Sequence, residues 1–372
     1  FLIVAGGHHL WRLPNVSVLE GRVAGLLRSL GLTSKQATLS IDDATSGAWR
    51  DAATELGTLL LKDSRLDVSK TERLVIVPDG PLWHLPFEIL VAPGSDNRLL
   101  IDSAPIRYAP TLGLAVPGDR SMRPVRRTAV AAARAPSSER DDATQAAIDR
   151  LAIGVGIDGR PAEQLRPPIG APAAQAASAF DLLAVTVESE IDPASPYAWR
   201  PAPLDRTAAS LGNWMRLAGG APQRLALGSV HTAAENALKT GRSSRRDETA
   251  LPTGWEMFHA SCGLLASGAE TALVSRWVTG GATGRDLLRE FAAEAPHASA
   301  PEAWLRSVAL TRQSRLDPSD EPRLEATFDD EPPTATHPFF WAGYLVLDTG
   351  FDPAGQTPDE QPAAEGQKVA AE

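Results

Sequence analysis

The sequence predicts an α/β fold in which helices flank a mainly parallel sheet to form a three-layer sandwich. Short, nearly continuous apolar segments recur along the chain, and helical or loop sequence separates each one from the next. These segments lie at 73–78, 126–133, 180–187, 223–230 and 270–277. Apolar runs of this length indicate strands that are buried on both faces, as in parallel sheets covered by helices.

The N-terminal region is predicted to form a hairpin and two helices. Residues 1–13, FLIVAGGHHLWRL, contain two short strand-like runs around a pair of glycines, which predicts a hairpin. Apolar residues then recur at helical spacing over 23–30, and Gly31 follows where a helix is expected to end. The same spacing over 49–60 predicts a second amphipathic helix that leads into the next strand.

Residues 74–90, LVIVPDGPLWHLPFEIL, join a β-branched run to a second apolar run across a sharp break. Pro78, Asp79 and Gly80 are residues that favour turns, so they mark a tight turn after the strand. We expect a strand, this turn and a supporting helix that together buttress the sheet. Because His84 falls inside the second apolar run, packing is its expected role.

Length and composition are typical of a globular protein with one large domain or two small ones. The chain has 372 residues, of which 43% are hydrophobic, enough for a substantial core. We predict a single domain over residues 1–351, with a subdomain boundary near 117–142 as the alternative. Residues 352–372 have almost no large apolar side chains and are expected to be a disordered tail. The chain begins at Phe1 rather than methionine, so we expect it to be part of a larger protein.

Charge and motif content argue against several classes of partner and cofactor. The formal net charge of -10 disfavours nucleic acid, which a basic face would bind. The sequence has no apolar run of membrane-spanning length, so no membrane partner is expected. It also lacks a metal-ligand pattern and a phosphate-binding loop, so we expect no metal and no cofactor. The single cysteine, Cys262, is typical of a reducing compartment, and we predict a cytoplasmic location.

Six segments in order carry a family resemblance. They are LVIVPDGPLWHLPFEIL (74–90), RYAPTLGLAV (107–116), FDLLAVTVESE (180–190), LALGSVHT (225–232), GAETALVSRW (268–277) and HPFFWAGYLVLDTG (337–350). In sequence and spacing they resemble the CHAT family of caspase-like cysteine peptidases over roughly residues 1–350. The resemblance implies a caspase-like three-layer fold, and its most specific parts are the PDG-to-LPFE stretch and the HP-x-x-WAGY ending.

The same resemblance implies that the peptidase chemistry is altered. Active members have a histidine in a pattern like H-x-A-T-H-G, where this chain has AVTVES and Glu188 at the matching position. Their nucleophile follows a pattern like L-S-A-C-E-T, where this chain has LGSVHT and Val230. A family acidic residue, in a pattern like S-L-W-x-V-x-D, falls near Gly280-Gly281. A cysteine peptidase needs a thiolate and a base that activates it, and valine has no lone pair to donate.

Three other side chains are candidate replacements for the missing nucleophile and base. Ser229 and His231 flank Val230, but strand side chains alternate faces, so each is predicted to point away from the catalytic position. His231 is the less firmly excluded of the two because it lies where the strand ends. Cys262 is spaced with Phe258 and Leu265 as a helix stripe facing a core, where a free cysteine behaves as a small hydrophobe.

An acidic cluster follows the strand that ends before Glu188. Glu188, Glu190 and Asp192 come just past its carboxyl end, where open α/β sheets place their ligand crevices. With Val230 and His231, and with Trp277 nearby by family analogy, they form the predicted vestigial site for peptide binding. The matching partner is a protein or peptide of basic character.

The predicted function is therefore that of a catalytically inactive CHAT-type pseudopeptidase that acts as a binding or scaffolding module. The alternative is an active CHAT cysteine peptidase with a displaced or unrecognised dyad. The arginine-rich segment 241–248, GRSSRRDE, is a further candidate contact. Whether this loop plugs the cleft is left open by the sequence.

Overall fold

The structure is a computed structural model, and it describes residues 2–4, 7–116, 123–132, 139–166, 173–203, 209–217, 220–236, 252–325 and 331–350. The predicted tail at 352–372 and the arginine-rich segment 241–248 lie outside the described residues. The single-domain assignment of 1–351 stays a prediction.

The strands of the described residues are short. They are β1 (Leu2–Val4), β2 (Gly7–His9), β3 (Leu39–Ser40), β4 (Leu74–Ile76), β5 (Ile106–Tyr108), β6 (Thr128–Ala131), β7 (Glu163–Leu165), β8 (Leu182–Val185), β9 (Ser189–Glu190), β10 (Arg224–Leu227), β11 (Val230–His231), β12 (Thr271–Ser275), β13 (Leu324–Glu325) and β14 (Tyr344–Asp348).

The α-helices lie between these strands. They are α1 (Val16–Ser29), α2 (Ile41–Thr45), α3 (Trp49–Leu61), α4 (Leu112–Ala115), α5 (Glu139–Gly154), α6 (Ala173–Ser178), α7 (Leu211–Trp214), α8 (Trp255–Ala266), α9 (Gly281–Glu294) and α10 (Ala300–Gln313).

One eight-stranded sheet organises the fold, in the order β4-β5-β14-β12-β10-β8-β6-β7. Among its described strands every pairing is parallel except that of β12 with β14. The carboxyl ends of β6, β8, β10 and β12 consequently meet at one edge, while those of β4, β5 and β14 meet at the other. The predicted α/β fold with a mainly parallel sheet flanked by helices is confirmed, and β1 and β2 pair as the predicted N-terminal hairpin.

Two local predictions differ from the structure. The supporting helix expected after the Pro78-Asp79-Gly80 turn is instead a pair of 3-10 turns, Gly80–His84 and Phe87–Ile89. Pro86 separates them because proline donates no backbone hydrogen bond and holds the preceding residue extended. In addition, none of the predicted apolar segments covers β7, which pairs with β6 as an edge strand of the sheet.

A buried ionic network connects the LPFE stretch to the central sheet. We call Glu88, Tyr108 and Arg276 the interior network, and all three are buried. Tyr108 Oη donates to Glu88 Oε2 at 2.8 Å, and Arg276 Nη1 lies 3.9 Å from the same oxygen. Arg276 also donates to the carbonyl oxygens of Trp83, at 3.1 Å, and Tyr344, at 2.7 Å. The network ties the 80–90 segment to β5, β12 and β14, which confirms the structural role predicted for this stretch.

No helix within the described ranges combines the length and the apolar character that crossing a membrane requires.

Candidate functional site

The candidate site lies where β8 and β10 end. After short breaks the two chains pair again as β9 and β11, with Val230 opposite Ser189 and His231 opposite Glu190. This small parallel ladder extends past the carboxyl edge of the main sheet, so it brings Glu188 and Val230 to the same place. The structure thus unites the two positions that the family resemblance assigns to base and nucleophile.

Val230 is part of the core at this position. The residue is 1% exposed. Its backbone N–H donates to Ser275 Oγ at 2.8 Å, and the same hydroxyl donates to the Val230 carbonyl oxygen at 3.0 Å. One buried serine at the end of β12 therefore satisfies both main-chain groups of Val230 and fixes the strand end.

His231 lies between two carboxylates. Its Nδ1 is 2.6 Å from Glu235 Oε2, and its Nε2 is 3.5 Å from Glu188 Oε2. The hydrogen bond with Glu235 raises the pKa of His231, although partial burial of the ring opposes the shift. The two acids differ in environment, because Glu235 is fully buried whereas the Glu188 side chain is 74% exposed.

Sequence reasoning missed the residues that hold His231 in place. Glu235 also accepts from the Val278 N–H at 2.8 Å and lies 3.3 Å from Arg323 Nη1. Glu235 follows His231 by four residues, but His231 ends a strand and Glu235 lies in a 3-10 turn, so helical spacing gave no signal for the pair. Arg323 gave none, since it is far away in the sequence.

The three predicted acidic residues line a shallow groove of about 270 Å³. We call Glu188, Glu190, Asp192 and Trp199 the acidic groove, since all four border it. Lys35 Nζ already pairs with Glu190 at 2.5 Å. Asp192 Oδ1 accepts from the Ala194 N–H at 2.9 Å, which leaves further lone pairs on both carboxylates. Arg200 also lines the groove, which is therefore acidic but partly neutralised.

The expectation that Trp277 lies beside this rim is wrong. Trp277 is fully buried, and its Nε1 donates to the Phe339 carbonyl oxygen at 2.9 Å. The indole packs so closely on Gly343 that a Cβ there would lie 2.9 Å from the ring. The indole that lines the groove is that of Trp199, which donates from Nε1 to Ser189 Oγ at 3.1 Å.

Cys262 lies in the middle of α8, in the segment that precedes β12. Of the predicted stripe, Leu265 is buried, whereas Phe258 and Cys262 are half-buried and border the buried face that includes Met257, Ala260 and Leu264. Cys262 itself is half-buried. Burial raises the pKa of its thiol, which disfavours the thiolate that a nucleophile requires.

A second cavity, of about 310 Å³, adjoins the acidic groove. We call it the glycine cavity because Gly280, Gly281 and Gly284 line it, and Ser229 and Arg285 border it as well. Gly280 and Gly281 have φ values of 67° and 72°, a conformation that favours glycine. Glu188 borders both the cavity and the groove, so the two are neighbours across this side chain.

Among the described residues, no group of three or more histidine, cysteine or acidic side chains is placed to hold a metal ion.

The mainly parallel sheet, its covering helices and the site at the ends of β8 and β10 define a caspase-like, peptidase-related α/β module. The family model of the CHAT domain matches residues 50–240, just over half of the chain, and includes both Glu188 and Val230. The chain belongs to the CHAT domain family. No curated protein matches it.

Proposed function

We propose that this chain is a catalytically inactive CHAT module that binds a protein or peptide partner at the carboxyl edge of its sheet. The observation that carries the proposal is Val230, an apolar and buried residue at the family's nucleophile position. Its strand end is held by Ser275 through two hydrogen bonds, so a thiol or hydroxyl from elsewhere would have to displace core packing to act there.

The remaining polar groups at this edge support binding rather than cleavage. Glu188 stands where the base is expected, and its Oε2 lies 3.5 Å from Nε2 of His231. The pairing with buried Glu235 raises the pKa of His231, so the ring keeps its proton to higher pH and is then not free to accept another. A general base without a nucleophile within reach has nothing to activate.

The acidic groove supports a basic, extended partner. Its floor carries carboxylates beside an indole, and a peptide that lies along β9 can present lysine or arginine side chains to them. Exposed ion pairs contribute only about 0–1 kcal/mol each, so this binding should be weak and should decrease with salt. The proposed compartment remains the cytoplasm, on the evidence of a single half-buried cysteine.

Catalysis is tested with a fluorogenic peptide library and a thiol-directed peptide probe. We expect no cleavage and no active-site labelling in the unaltered chain. Cys262→Ala and Ser229→Ala are the matched variants. Specific cleavage that either substitution abolishes would overturn the proposal and favour the alternative, an active peptidase with a displaced dyad.

Binding is tested by the fluorescence anisotropy of a labelled peptide with the sequence of residues 240–248, TGRSSRRDE. The control peptide has glutamine in place of its three arginines. We expect the arginine peptide to bind more tightly, and its affinity to fall about threefold in the double variant Glu190→Gln with Asp192→Asn. Equal binding of both peptides, or an unchanged affinity and salt dependence in the double variant, would contradict the basic specificity.

A further inference from the structure

We propose that two copies of this chain associate through the solvent face of α8, with the two helices antiparallel. We call Trp255, His259, Cys262 and Ala266 the α8 face. The inference goes beyond the binding function proposed above and does not depend on it. It assigns an interaction surface and its partner, a second copy of the chain that pairs about a two-fold axis.

The α8 face carries no charged side chain. Glu256 is the single acidic residue of α8, which has no lysine or arginine, and it is buried with its Oε1 3.0 Å from His84 Nε2. The opposite side of the helix packs in the core through Met257 and Leu264. Helices that are apolar nearly all round are normally covered on every side. The exposed side of α8 is therefore the kind of surface that another protein covers.

Large side chains typical of protein interfaces are exposed on and beside this face. Trp255 is 38% exposed. Tyr197 and Met215, which belong to elements that pack against α8, are 41% and 42% exposed. Tryptophan, tyrosine and methionine are enriched at protein interfaces, and tryptophan and tyrosine often contribute most of the binding energy. The composition of this surface favours a protein partner.

Contacts within the monomer already fix the rings at this face. Tyr197 Oη lies 2.8 Å from His259 Nδ1. The ring centroids of Trp255 and Tyr197 are 4.8 Å and 5.3 Å from that of His259. Ordering flexible side chains is one of the main costs of association. Because these contacts hold the rings before any partner arrives, little of that cost remains for the α8 face.

The spacing along α8 favours a second, antiparallel copy as the occupant. The four residues recur at intervals of four, three and four, the spacing of side chains along the seam of a helix pair. The stripe runs from a large side chain, Trp255, to a small one, Ala266. An antiparallel pair places each Trp255 over Ala266 of the partner subunit, and His259 over Cys262 of the partner subunit. Large side chains thus meet small ones at both ends, whereas a parallel pair would set Trp255 against Trp255.

The size and charge of the surface set the expected affinity. α8 has 12 residues and is about 18 Å long, whereas a stable dimer usually buries about 800 Å² on each partner. Tyr197 and Met215 extend the surface beyond the helix, but the net charge of -10 on each copy opposes association. We therefore expect a dimer with a micromolar dissociation constant. Salt should strengthen it, because screening weakens the repulsion between the two copies.

Sedimentation equilibrium of the full chain tests the association. We expect a monomer–dimer equilibrium that Trp255→Ala weakens about tenfold. Ala266→Glu should also weaken it at least about tenfold, because it removes no packing from the monomer and places a carboxylate against the indole of the partner subunit. Leu310→Ala is the matched control, since Leu310 is an exposed leucine of α10, and it should leave the constant within about twofold.

The single cysteine of the chain tests the orientation. Antiparallel pairing puts the two Cys262 side chains about 5 Å apart along the helix axis, so a short bismaleimide should link them. The double variant Cys262→Ala with Ala266→Cys moves the two thiols to about 17 Å apart along the axis, so it should not be linked. Equal linking of this variant and the unaltered chain would overturn the antiparallel pairing.

Three sedimentation results would overturn the inference. One is a chain that stays monomeric at about 200 µM. Another is an affinity unchanged in Ala266→Glu, whose exposed position accepts the charge in the folded monomer. The third is an association that weakens with salt, since that would indicate an ionic contact, such as segment 241–248 of one copy in the acidic groove of the other.

Discussion

The interior network and the acidic groove differ in how far their charged side chains are exposed to water. In the interior network Glu88 and Arg276 are both fully buried, and backbone carbonyls and Tyr108 surround them. At the groove, Glu188 and Glu190 have side chains 74% and 58% exposed. Buried charges need fixed partners to offset desolvation, whereas exposed ones keep water as an exchangeable partner. The difference separates a structural device from a surface that is able to accept a ligand.

Three consecutive residues at the end of β12 stabilise these two regions. Ser275 holds the Val230 strand end, Arg276 forms the interior network, and Trp277 fills the core against Gly343. The same strand end therefore holds both the vestigial site and the 80–90 segment in place. A change in one of these residues tests how strongly each region depends on that anchor.

The largest effect is expected for Arg276→Met. Removing the guanidinium leaves Glu88 buried beside Tyr108 without its cation, which should lower the free energy of unfolding by about 3–5 kcal/mol. Urea denaturation measures this change. The double variant Glu88→Gln with Arg276→Met should lose less, because no uncompensated charge remains. A loss below about 1 kcal/mol in Arg276→Met would show that the network contributes little.

A pH-dependent effect of about 3 kcal/mol is expected at Glu321. Burial raises the pKa of Glu321 from 4.5 to about 7, and Oε1 accepts from the Thr283 N–H at 2.7 Å. A folded-state pKa above the unfolded value means that stability is full below pH 4.5 and decreases as pH rises through 7. Glu321→Gln removes this titration. Its advantage over the unaltered chain should grow between pH 5 and 8 in denaturant unfolding, and an advantage independent of pH would contradict the assignment.

A smaller loss, about 1–3 kcal/mol, is expected for Ser275→Ala. The change leaves the buried Val230 N–H without its acceptor. Ser261→Ala is the control, because that buried hydroxyl donates only to the Met257 carbonyl oxygen within the same helix. Thermal unfolding should show a clearly larger decrease in midpoint for Ser275→Ala than for the control. Equal decreases would mean that Ser275 does not specifically secure the vestigial strand end.

The smallest effect on stability is expected at the groove itself. Glu190→Gln with Asp192→Asn should change the free energy of unfolding by no more than about 0.5 kcal/mol, since both side chains are on the surface. Urea denaturation at low and high salt checks this. A loss above about 1 kcal/mol would indicate that the groove is structural, as the interior network is.

Much of the scaffold could be predicted from local sequence. Apolar runs located β6, β8, β10 and β12, although each observed strand is shorter than its run. The prolines and glycine of the 78–86 stretch predicted a break but not its 3-10 form. Short-range patterns report on backbone preference and burial, which is why the existence of these elements was readable and their exact ends were not.

At the site, sequence alone determined the identities of Glu188 and Val230 at the family's dyad positions and the acidic character of the segment that follows. Tertiary structure decided that His231 pairs with Glu235 and through it with Arg323, and that Trp277 is interior whereas Trp199 lines the groove. The physical reason is that a tryptophan or an arginine looks the same in sequence whether it is covered or not. Its exposure and its partners depend on which distant segments pack over it, and here residues 339 to 343 cover Trp277.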